Sequence, residues 1–221
     1  MKSIKLLSGL LLLFTIILAA CTTESSLGRS EKQQIVNNVK AVEESEFDLT
    51  YFNKSYTQYH KVLSEIVSED YWASTRDEIL FGYNGATFSR DDLANMPQEE
   101  YDKHKEHMLN IIRGMDMDKL NATVRISDVY KGNQPHQVNI YTIENKELKA
   151  QPFTATTKKY TLEKHNEKWL IVDVKQDKFN YESKQAAEEL EKRIKALKYQ
   201  THDGTVIGYP TVMVLSGVGK E

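Results

Sequence analysis

The order of apolar and polar residues divides the 221-residue chain into four stretches. An uninterrupted apolar run, Leu6–Ala20, is followed by a short polar segment, Thr22–Ser30. Apolar residues then recur at helical spacing as far as Lys119, where the period changes to two. A highly charged stretch from about Tyr181 precedes a tail with few charges. This order predicts helices first, then a sheet, then one more helix.

Three stretches before Lys119 have the spacing of amphipathic helices. The first begins at Glu31 with Ser30 as its N-cap and ends at an acidic break, 43–48. The second covers only about two heptads, so a core-facing helix is predicted rather than a coiled coil. Loops and short elements are expected over 69–95, and Pro97 occupies the first turn of the third helix. The apolar faces consist of Ile35, Val39 and Val42; Phe52, Tyr56, Tyr59, Leu63 and Ile66; and Tyr101, His104, Met108, Ile111 and Met115.

Alternating residues after Lys119 predict four strands joined by short turns, which is an antiparallel meander. Two segments, Lys131-Gly132-Asn133 and His165-Asn166, have the residues of tight turns. The strands are marked by Val124 and Ile126, by Val138 and Ile140, by the Thr-rich segment 153–163, and by 168–174.

The C-terminal part is predicted to leave this meander. Residues 179–200 form a charged helix in this interpretation, with an apolar stripe of Ala186, Leu190, Ile194 and Leu197. In the tail, 201–221, the apolar segment 211–215 is either an added edge strand or a disordered end. Pro210 suits an edge strand, because proline is confined to strand edges.

The first 21 residues have the order of an export signal: Lys2 and Lys5, the apolar run, then small residues. The apolar run is shorter than the roughly 20 residues of a membrane-spanning helix. An uncleaved anchor helix is nevertheless the alternative. The segment Leu18-Ala19-Ala20-Cys21 resembles the lipobox of bacterial lipoproteins. This resemblance implies removal of residues 1–20, a diacylglycerol on the Cys21 sulfur, and a second acylation, as with palmitate, at the new amine.

Lipidation at Cys21 would anchor the chain to the outer face of the cell membrane, because two or more acyl chains give stable attachment. Residues 21–30 then serve as a tether, and nine extended residues span at most about 30 Å. The body would be extracytoplasmic and close to the bilayer. The residue usage, rich in Lys, Asn, Tyr and Ile, is typical of low-GC Gram-positive bacteria.

Charge and cysteine content limit the classes of partner. Loss of Lys2 and Lys5 lowers the basic count from 29 to 27 against 32 acidic residues, so the net charge changes from −3 to −5. An acidic body disfavours nucleic acid and anionic headgroups. Cys21 is the only cysteine, so no intramolecular disulfide can form and the fold depends on its hydrophobic core.

The last predicted hairpin, 160–174, contains Trp169-Leu170-Ile171-Val172-Asp173 after a tight turn. Together with the preceding helices, it resembles the end of domains in the NTF2-like (cystatin-like) superfamily. The resemblance implies an α+β domain over 31–178, with N-terminal helices packed on a curved four-stranded antiparallel sheet that forms a cone. The superfamily includes enzymes, ligand carriers and adaptors, so this fold alone selects no function.

Few residue patterns point to chemistry. His104 and His107 have a spacing that can chelate zinc, but no third ligand is identifiable, so no metal is predicted. Asp116-Met117-Asp118 opens like a calcium loop, yet Leu120 occupies the next ligand position and no glycine follows. No phosphate loop, nucleophile elbow or cysteine nucleophile is present, and no cofactor is expected.

Four residues are candidates for a pocket: Tyr71 and Trp72 at its mouth, with Trp169 and Asp173 on the last strand. Asp173 with His165 and Glu167 could also form an acid–base group, as in some NTF2-like enzymes. The purely structural interpretation is that Asp173 caps a turn or faces solvent. No catalytic residue is predicted.

The sequence therefore favours a non-enzymatic adaptor that is anchored to the membrane and binds an envelope protein through the concave sheet or the apolar tail. A carrier of small ligands in an apolar cone pocket is the first alternative. An acid–base enzyme of the NTF2-like type is the second.

Overall fold

The computed structural model describes residues 27–114, 120–147, 153–181 and 207–218. A boundary between two structural units lies between Lys32 and Gln33, and the fold below is that of the second unit. The helices in the described residues are α1 (Arg29–Thr50), α2 (Tyr56–Leu63), α3 (Glu69–Ser74), α4 (Arg90–Asn95) and α5 (Gln98–Gly114). The strands are β1 (Ile79–Tyr83), β2 (Ala86–Ser89), β3 (Asn121–Ile126), β4 (Tyr130–Lys131), β5 (Gln137–Glu147), β6 (Phe153–His165), β7 (Lys168–Tyr181) and β8 (Thr211–Leu215).

Helix α1 continues through the segment that was predicted to interrupt it. It begins at Arg29, so Ser30 lies inside its first turn and is not the N-cap. The predicted break at 43–48 is wrong because Glu43 is buried and paired with a cation from the sheet. Apolar residues before and after that point, including Ile35, Val39 and Leu49, are buried along the same helix.

The second predicted helix is shorter in the structure. It begins after Ser55, whose Oγ accepts a hydrogen bond from the Gln58 amide while Gln58 Oε1 accepts one from the Ser55 amide. This capping box satisfies two amide groups that a helix N-terminus leaves unpaired. Phe52 lies before the helix, in a turn with φ of 56°, and its ring is still buried.

Short elements fill residues 69–95, as predicted. Strands β1 and β2 form an isolated antiparallel hairpin. Its turn residues, Asn84 and Gly85, both have positive φ, 48° and 80°. This backbone is that of a two-residue turn whose twist matches the strands, and Asn-Gly is the preferred pair for it.

The protein is α+β, with helices and one large antiparallel sheet. Strands β7, β6, β5, β3 and β8 lie side by side in that order, and β4 pairs with β5. The four strands of the predicted meander are present as β3, β5, β6 and β7 and are neighbours in that sequence. The expected number of four strands is wrong, since the described residues alone contribute six strands to the sheet. Strand β4 has only two residues, too few to produce an alternating pattern.

The predicted C-terminal helix also begins too early. Phe179, Asn180 and Tyr181 belong to β7 and pair with residues 155, 154 and 153 of β6. Residues 175–178 are all polar, so the alternation of the strand is lost before Phe179, whereas its pairing with β6 continues to Tyr181. The rest of the predicted helix, 182–200, lies outside the described residues. In the tail, Thr211–Leu215 forms the edge strand β8, one of the two alternatives for this segment.

One face of the sheet carries the core. The alternating residues Val124, Ile126, Ile140 and Leu162 are all buried, as their spacing predicts. Helix α1 lies against this face, where the Asn38 amide donates to the Trp169 carbonyl over 2.8 Å. Helix α3 contacts β7, and the Ser68 amide just before α3 donates to the Ile171 carbonyl over 2.9 Å.

Candidate functional site

A network of buried charges joins α1 to the middle of the sheet. The Glu43 carboxylate, 2 % exposed, accepts hydrogen bonds from Thr142 Oγ1 at 2.6 Å and Tyr160 Oη at 2.9 Å. Lys158 Nζ lies 2.8 Å from a carboxylate oxygen of Glu43 and 2.8 Å from one of Glu46. The lysine is thereby shared between two glutamates. We call these five residues the Glu43–Lys158 network.

The positions of the network follow from helix and strand periodicity. Glu43 and Glu46 are three residues apart and therefore lie on one side of α1. On the sheet, Thr142 is paired directly with Lys158, and Tyr160 follows Lys158 by two residues. Residues two apart on a strand share a face, so all three sheet side chains point towards α1. The sequence thus places two acids opposite a lysine and two hydroxyl groups.

Electrostatics keep both ends of the central ion pair charged. Burial of Glu43 acts to raise its pKa, but the charge of Lys158 and three hydrogen bonds outweigh it, so the pKa lies below its ordinary value. Burial acts to lower the pKa of Lys158, but Glu43 and Glu46 hold it well above its ordinary value. Neither group is prepared to exchange a proton near neutral pH. The arrangement is therefore suited to fixing α1 on the sheet.

The network makes the free energy of unfolding depend on pH in the acidic range. Because the folded pKa of Glu43 is depressed below its ordinary value of 4.5, its stabilising contribution is present above that pH and lost as the pH falls towards the folded pKa. The unfolding free energy should decrease between pH 5 and pH 3 by about 1.4 kcal/mol for each unit of depression. Urea titrations at several pH values measure this. Glu43→Gln cannot titrate, so equal slopes in both proteins would contradict the assignment.

A second ion pair extends the polar face along β5. Lys146 Nζ lies 3.3 Å from Glu144 Oε1, and the same ammonium lies over the Tyr51 ring, 5.8 Å from its centroid. Burial acts to lower the pKa of Lys146, but the charge of Glu144 and other contacts raise it overall. Strand β5 therefore presents polar side chains to the helical layer over several residues.

The four predicted pocket residues lie on two elements that contact each other. Tyr71 and Trp72 are half-buried on α3, and β7 carries Trp169 and Asp173. Burial raises the pKa of Tyr71 to about 12, and the charge of Asp173 contributes in the same direction. Trp169 is 3 % exposed, and its indole N–H has no hydrogen-bond partner in the described part of the chain.

Arg90, a buried cation, lies beside these aromatic residues. No sequence pattern marked it as a candidate. Its guanidinium lies over the Trp72 ring, with Cζ 5.3 Å from the centroid, and Nη1 donates to the Thr75 carbonyl over 2.7 Å. A single arginine after Ser89 has no distinctive sequence pattern. Only its location between α3 and α2 shows that it is buried.

The two histidines of α5 bind the β1–β2 hairpin. The Tyr83 hydroxyl is 2.8 Å from His104 Nδ1, and Asn84 Nδ2 is 3.1 Å from His107 Nε2. Each imidazole therefore has a side-chain partner. Among the described residues no group of three or more His, Cys, Asp or Glu is arranged to hold a metal ion. The rejected calcium motif, 116–118, lies outside those residues.

The acid–base group that was the alternative interpretation of this hairpin is not assembled. His165 is exposed, and its Nε2 lies 3.6 Å from Glu163 Oε2. Glu167 is an exposed turn residue that pairs with Lys164 at 2.9 Å. Asp173 is opposite Thr161, four residues along β6 from His165, a separation of about 13 Å. The side chains of His165, Glu167 and Asp173 therefore do not converge.

Among the sheet side chains that the structure describes, the most exposed large apolar ones lie on β8. Val212 and Val214 are 57 % and 63 % exposed, while Leu215 on the opposite face is buried. One side of β8 pairs with β3 along all five residues. In the described parts of the chain, no strand pairs with its other side. An unpaired edge with exposed valines is suited to accepting another strand.

The anchor residue Cys21 and the export signal lie outside the described residues. Among the helices that the structure describes, none has both the length and the apolarity to cross a membrane. Neither a protein-family model nor a curated protein sequence matches this chain.

Proposed function

We propose that this chain is a non-enzymatic lipoprotein adaptor, anchored by lipidated Cys21 to the extracytoplasmic face of the cell membrane, that binds an envelope protein through β8. The observation that carries the binding role is the outer edge of β8, which no strand of the described residues pairs, with Val212 and Val214 exposed. The lipobox-like segment ending at Cys21 supports the anchor.

The binding mode is addition of an extended segment of the partner to the sheet. In this mode backbone hydrogen bonds supply affinity and alternate side chains supply specificity. Val212 and Val214 are two residues apart and share one face, so they form a small apolar surface beside the open backbone edge. The same strand has no charged side chain to repel a partner.

The fold proposed for the domain is the NTF2-like cone. The α+β architecture and the meander of β3, β5, β6 and β7 support it. A bulge in the β6–β7 pairing between Thr161 and Leu162 is the kind of irregularity that bends a sheet. Strand β8 extends this sheet beyond the four strands of the proposed cone.

The valines provide a direct test of the adaptor role. Val212→Lys with Val214→Lys should reduce recovery of the envelope partner from solubilised membranes at least about tenfold, because two exposed apolar contacts are lost and two charges are added. The measurement is quantitative mass spectrometry after purification of the full, lipidated protein under mild cross-linking.

Ile79→Lys is the matched control, because Ile79 is an equally exposed apolar residue, at 62 %, on the separate β1–β2 hairpin. The proposal requires one envelope protein that is enriched with the native chain and with the Ile79 variant and depleted with the double variant. Equal recovery with all three, or enrichment of no envelope protein by any, contradicts it.

A further inference from the structure

Three side chains in the middle of the sheet are buried on the face opposite α1. Ile143, Ala155 and Thr157 are 4 %, 0 % and 8 % exposed. Their strand neighbours Thr142 and Lys158 hydrogen-bond α1, so these three side chains point away from that helix, to what we call the outer face. An antiparallel sheet commonly leaves one face solvated, so burial at its middle indicates that something covers the outer face.

The burial is confined to part of the outer face. Ile143 and Thr157 are paired, and the row that contains them runs from Val212 on β8 to Asp177 on β7. At the ends of this row, Val212 is 57 % exposed and Asp177 is also exposed. The cover therefore lies over β5 and β6 and leaves the edge strands open in this row.

The order of the strands requires a long connection across the sheet. Strands β7 and β8 run in the same direction, because four successive antiparallel pairings lie between them. The chain leaves β7 after Tyr181 and enters β8 at Thr211, so it must return along the sheet in between. Such a crossover has roughly a dozen or more residues and is usually helical. Residues 182–206, outside the described residues, are the greater part of this connection.

The hand of the crossover selects the outer face. Ile171 pairs with Leu162, and both are buried on the inner face, towards α1. The Ile171 amide donates to the Ile66 carbonyl and its carbonyl accepts from the Ser68 amide, both on the side away from β6. For an L-amino acid, these directions place β8 to the right of β7 when the outer face is viewed with β7 running upwards. A connection over the outer face is then right-handed, as are about 98 % of such crossovers.

The described end of the connection also lies on the outer face. Tyr130 pairs with Asn139, and its ring is 6.0 Å from that of Tyr141, which follows Asn139 by two residues on the outer face. The Tyr130 hydroxyl accepts a hydrogen bond from the Gly208 amide over 2.7 Å. The chain therefore approaches β8 from the outer side of the sheet.

The distance fits a helix. From the pair Tyr181 and Phe153 to the level of Tyr130, the connection covers about 26 Å along the strands and about 19 Å across them, or about 32 Å diagonally. A helix over 182–200 is about 28 Å long, and 201–206 supply the remainder. The predicted apolar stripe of this helix suits packing on a sheet. It consists of Ala186, Leu190, Ile194 and Leu197.

We propose that residues 182–206 cross the outer face from β7 to β8 and that the apolar stripe of 182–200 packs on Ile143, Ala155 and Thr157. This segment is the cover that their burial requires. It occupies the outer face, so an envelope partner meets the sheet at the exposed valines of β8 instead.

A disulfide tests the predicted contact. Leu190 is nine residues after Tyr181, about 13 Å along a helix, and Thr157 is four residues after Phe153, about 13 Å along β6. In the full chain with Cys21→Ser, which removes the native thiol, Thr157→Cys with Leu190→Cys should form a disulfide under mild oxidation. Thr157→Cys with Lys192→Cys, on the opposite side of the predicted helix, is the matched control and should stay reduced. Mass spectrometry of unreduced peptides measures both.

Thiol labelling measures the cover independently. In the same background, the thiol of Thr157→Cys should react with a maleimide at least about tenfold more slowly than that of Val212→Cys, because a covered site reacts only when the cover opens. Leu190→Asp should remove this protection. Lys192→Asp introduces the same side chain on the other side of the helix and should not.

Equal labelling rates of the two thiols would show an open outer face and overturn the proposal. Slow labelling that Leu190→Asp leaves unchanged would assign the cover to residues 1–20 or to a second copy of the chain, which also overturns it. If Leu190→Asp unfolds the chain, the disulfide decides. A yield with Leu190→Cys no higher than with Lys192→Cys contradicts the packing.

Discussion

Replacement of Lys158 by methionine should lower the free energy of unfolding by about 3–5 kcal/mol. The side chain is 8 % exposed and bonded to Glu43 and Glu46, so its loss leaves the fully buried Glu43 carboxylate without a counter-charge. Thr142 and Tyr160 would still donate to that carboxylate, but neither carries charge. Urea unfolding at pH 7, followed by circular dichroism, measures the loss.

A double variant distinguishes an ion-pair effect from a packing effect. In Lys158→Met with Glu43→Gln the buried charge is removed while the amide oxygen can still accept from Thr142 and Tyr160. This double variant should regain more than half of the lost stability, since replacing a buried pair by neutral groups is often tolerated. Lys175→Met, at an exposed position on β7, should be near neutral. If the double variant loses as much unfolding free energy as the two single variants together, the pairing is contradicted.

Replacement of Cys21 by serine should abolish lipid attachment altogether. The thioether to diacylglycerol requires the sulfur, and no second cysteine can substitute for it. Metabolic labelling with an alkyne analogue of palmitate, followed by fluorescence of the purified chain, should therefore give signal for the native protein and background for Cys21→Ser.

Thr22→Ala controls for disturbance of the export signal without loss of the thiol, and it should label like the native chain. Labelling that persists in Cys21→Ser would place the acyl group elsewhere and remove the basis of the anchor. If the native chain gives only background signal, the basis of the anchor is removed as well.

The sheet could be predicted from sequence because its inner face follows a simple alternation. Val124, Ile126, Val138 and Ile140 were expected to point inward and all are buried. Strand β4 could not be predicted, because two residues carry no period. The first residues of the expected C-terminal helix, Phe179 to Tyr181, continue β7 because their pairing with β6 outweighs the nearby helix-forming composition.

The charged network was missed although its signal was present. Continuing the spacing of Ile35, Val39 and Val42 along α1 reaches Glu43 and Glu46, which looked like a break because acids are rarely buried. Lys158 likewise falls on the inward alternation of Tyr160 and Leu162. A single charged residue on an apolar face gives no indication of its partner. Their pairing spans more than a hundred residues of sequence, so only the fold shows that they neutralise one another.

The candidate pocket shows the same limit. Tyr71 and Trp72 were selected because aromatic residues near a loop often line a pocket, and the structure puts them on α3 against β7. Arg90 was not selected, because one arginine after a serine has no distinctive pattern. Its burial between short helices depends on contacts that local periodicity does not encode.

The proposal that this chain is a membrane-anchored adaptor depends first on the chemistry of its mature amino terminus. Mass spectrometry of the amino-terminal peptide from the protein as purified from its native membrane tests that point most directly. The predicted result is a peptide that begins at Cys21 and carries the added mass of a diacylglycerol. A peptide that begins at Met1, or one that begins at Cys21 with an unmodified thiol, would contradict the account.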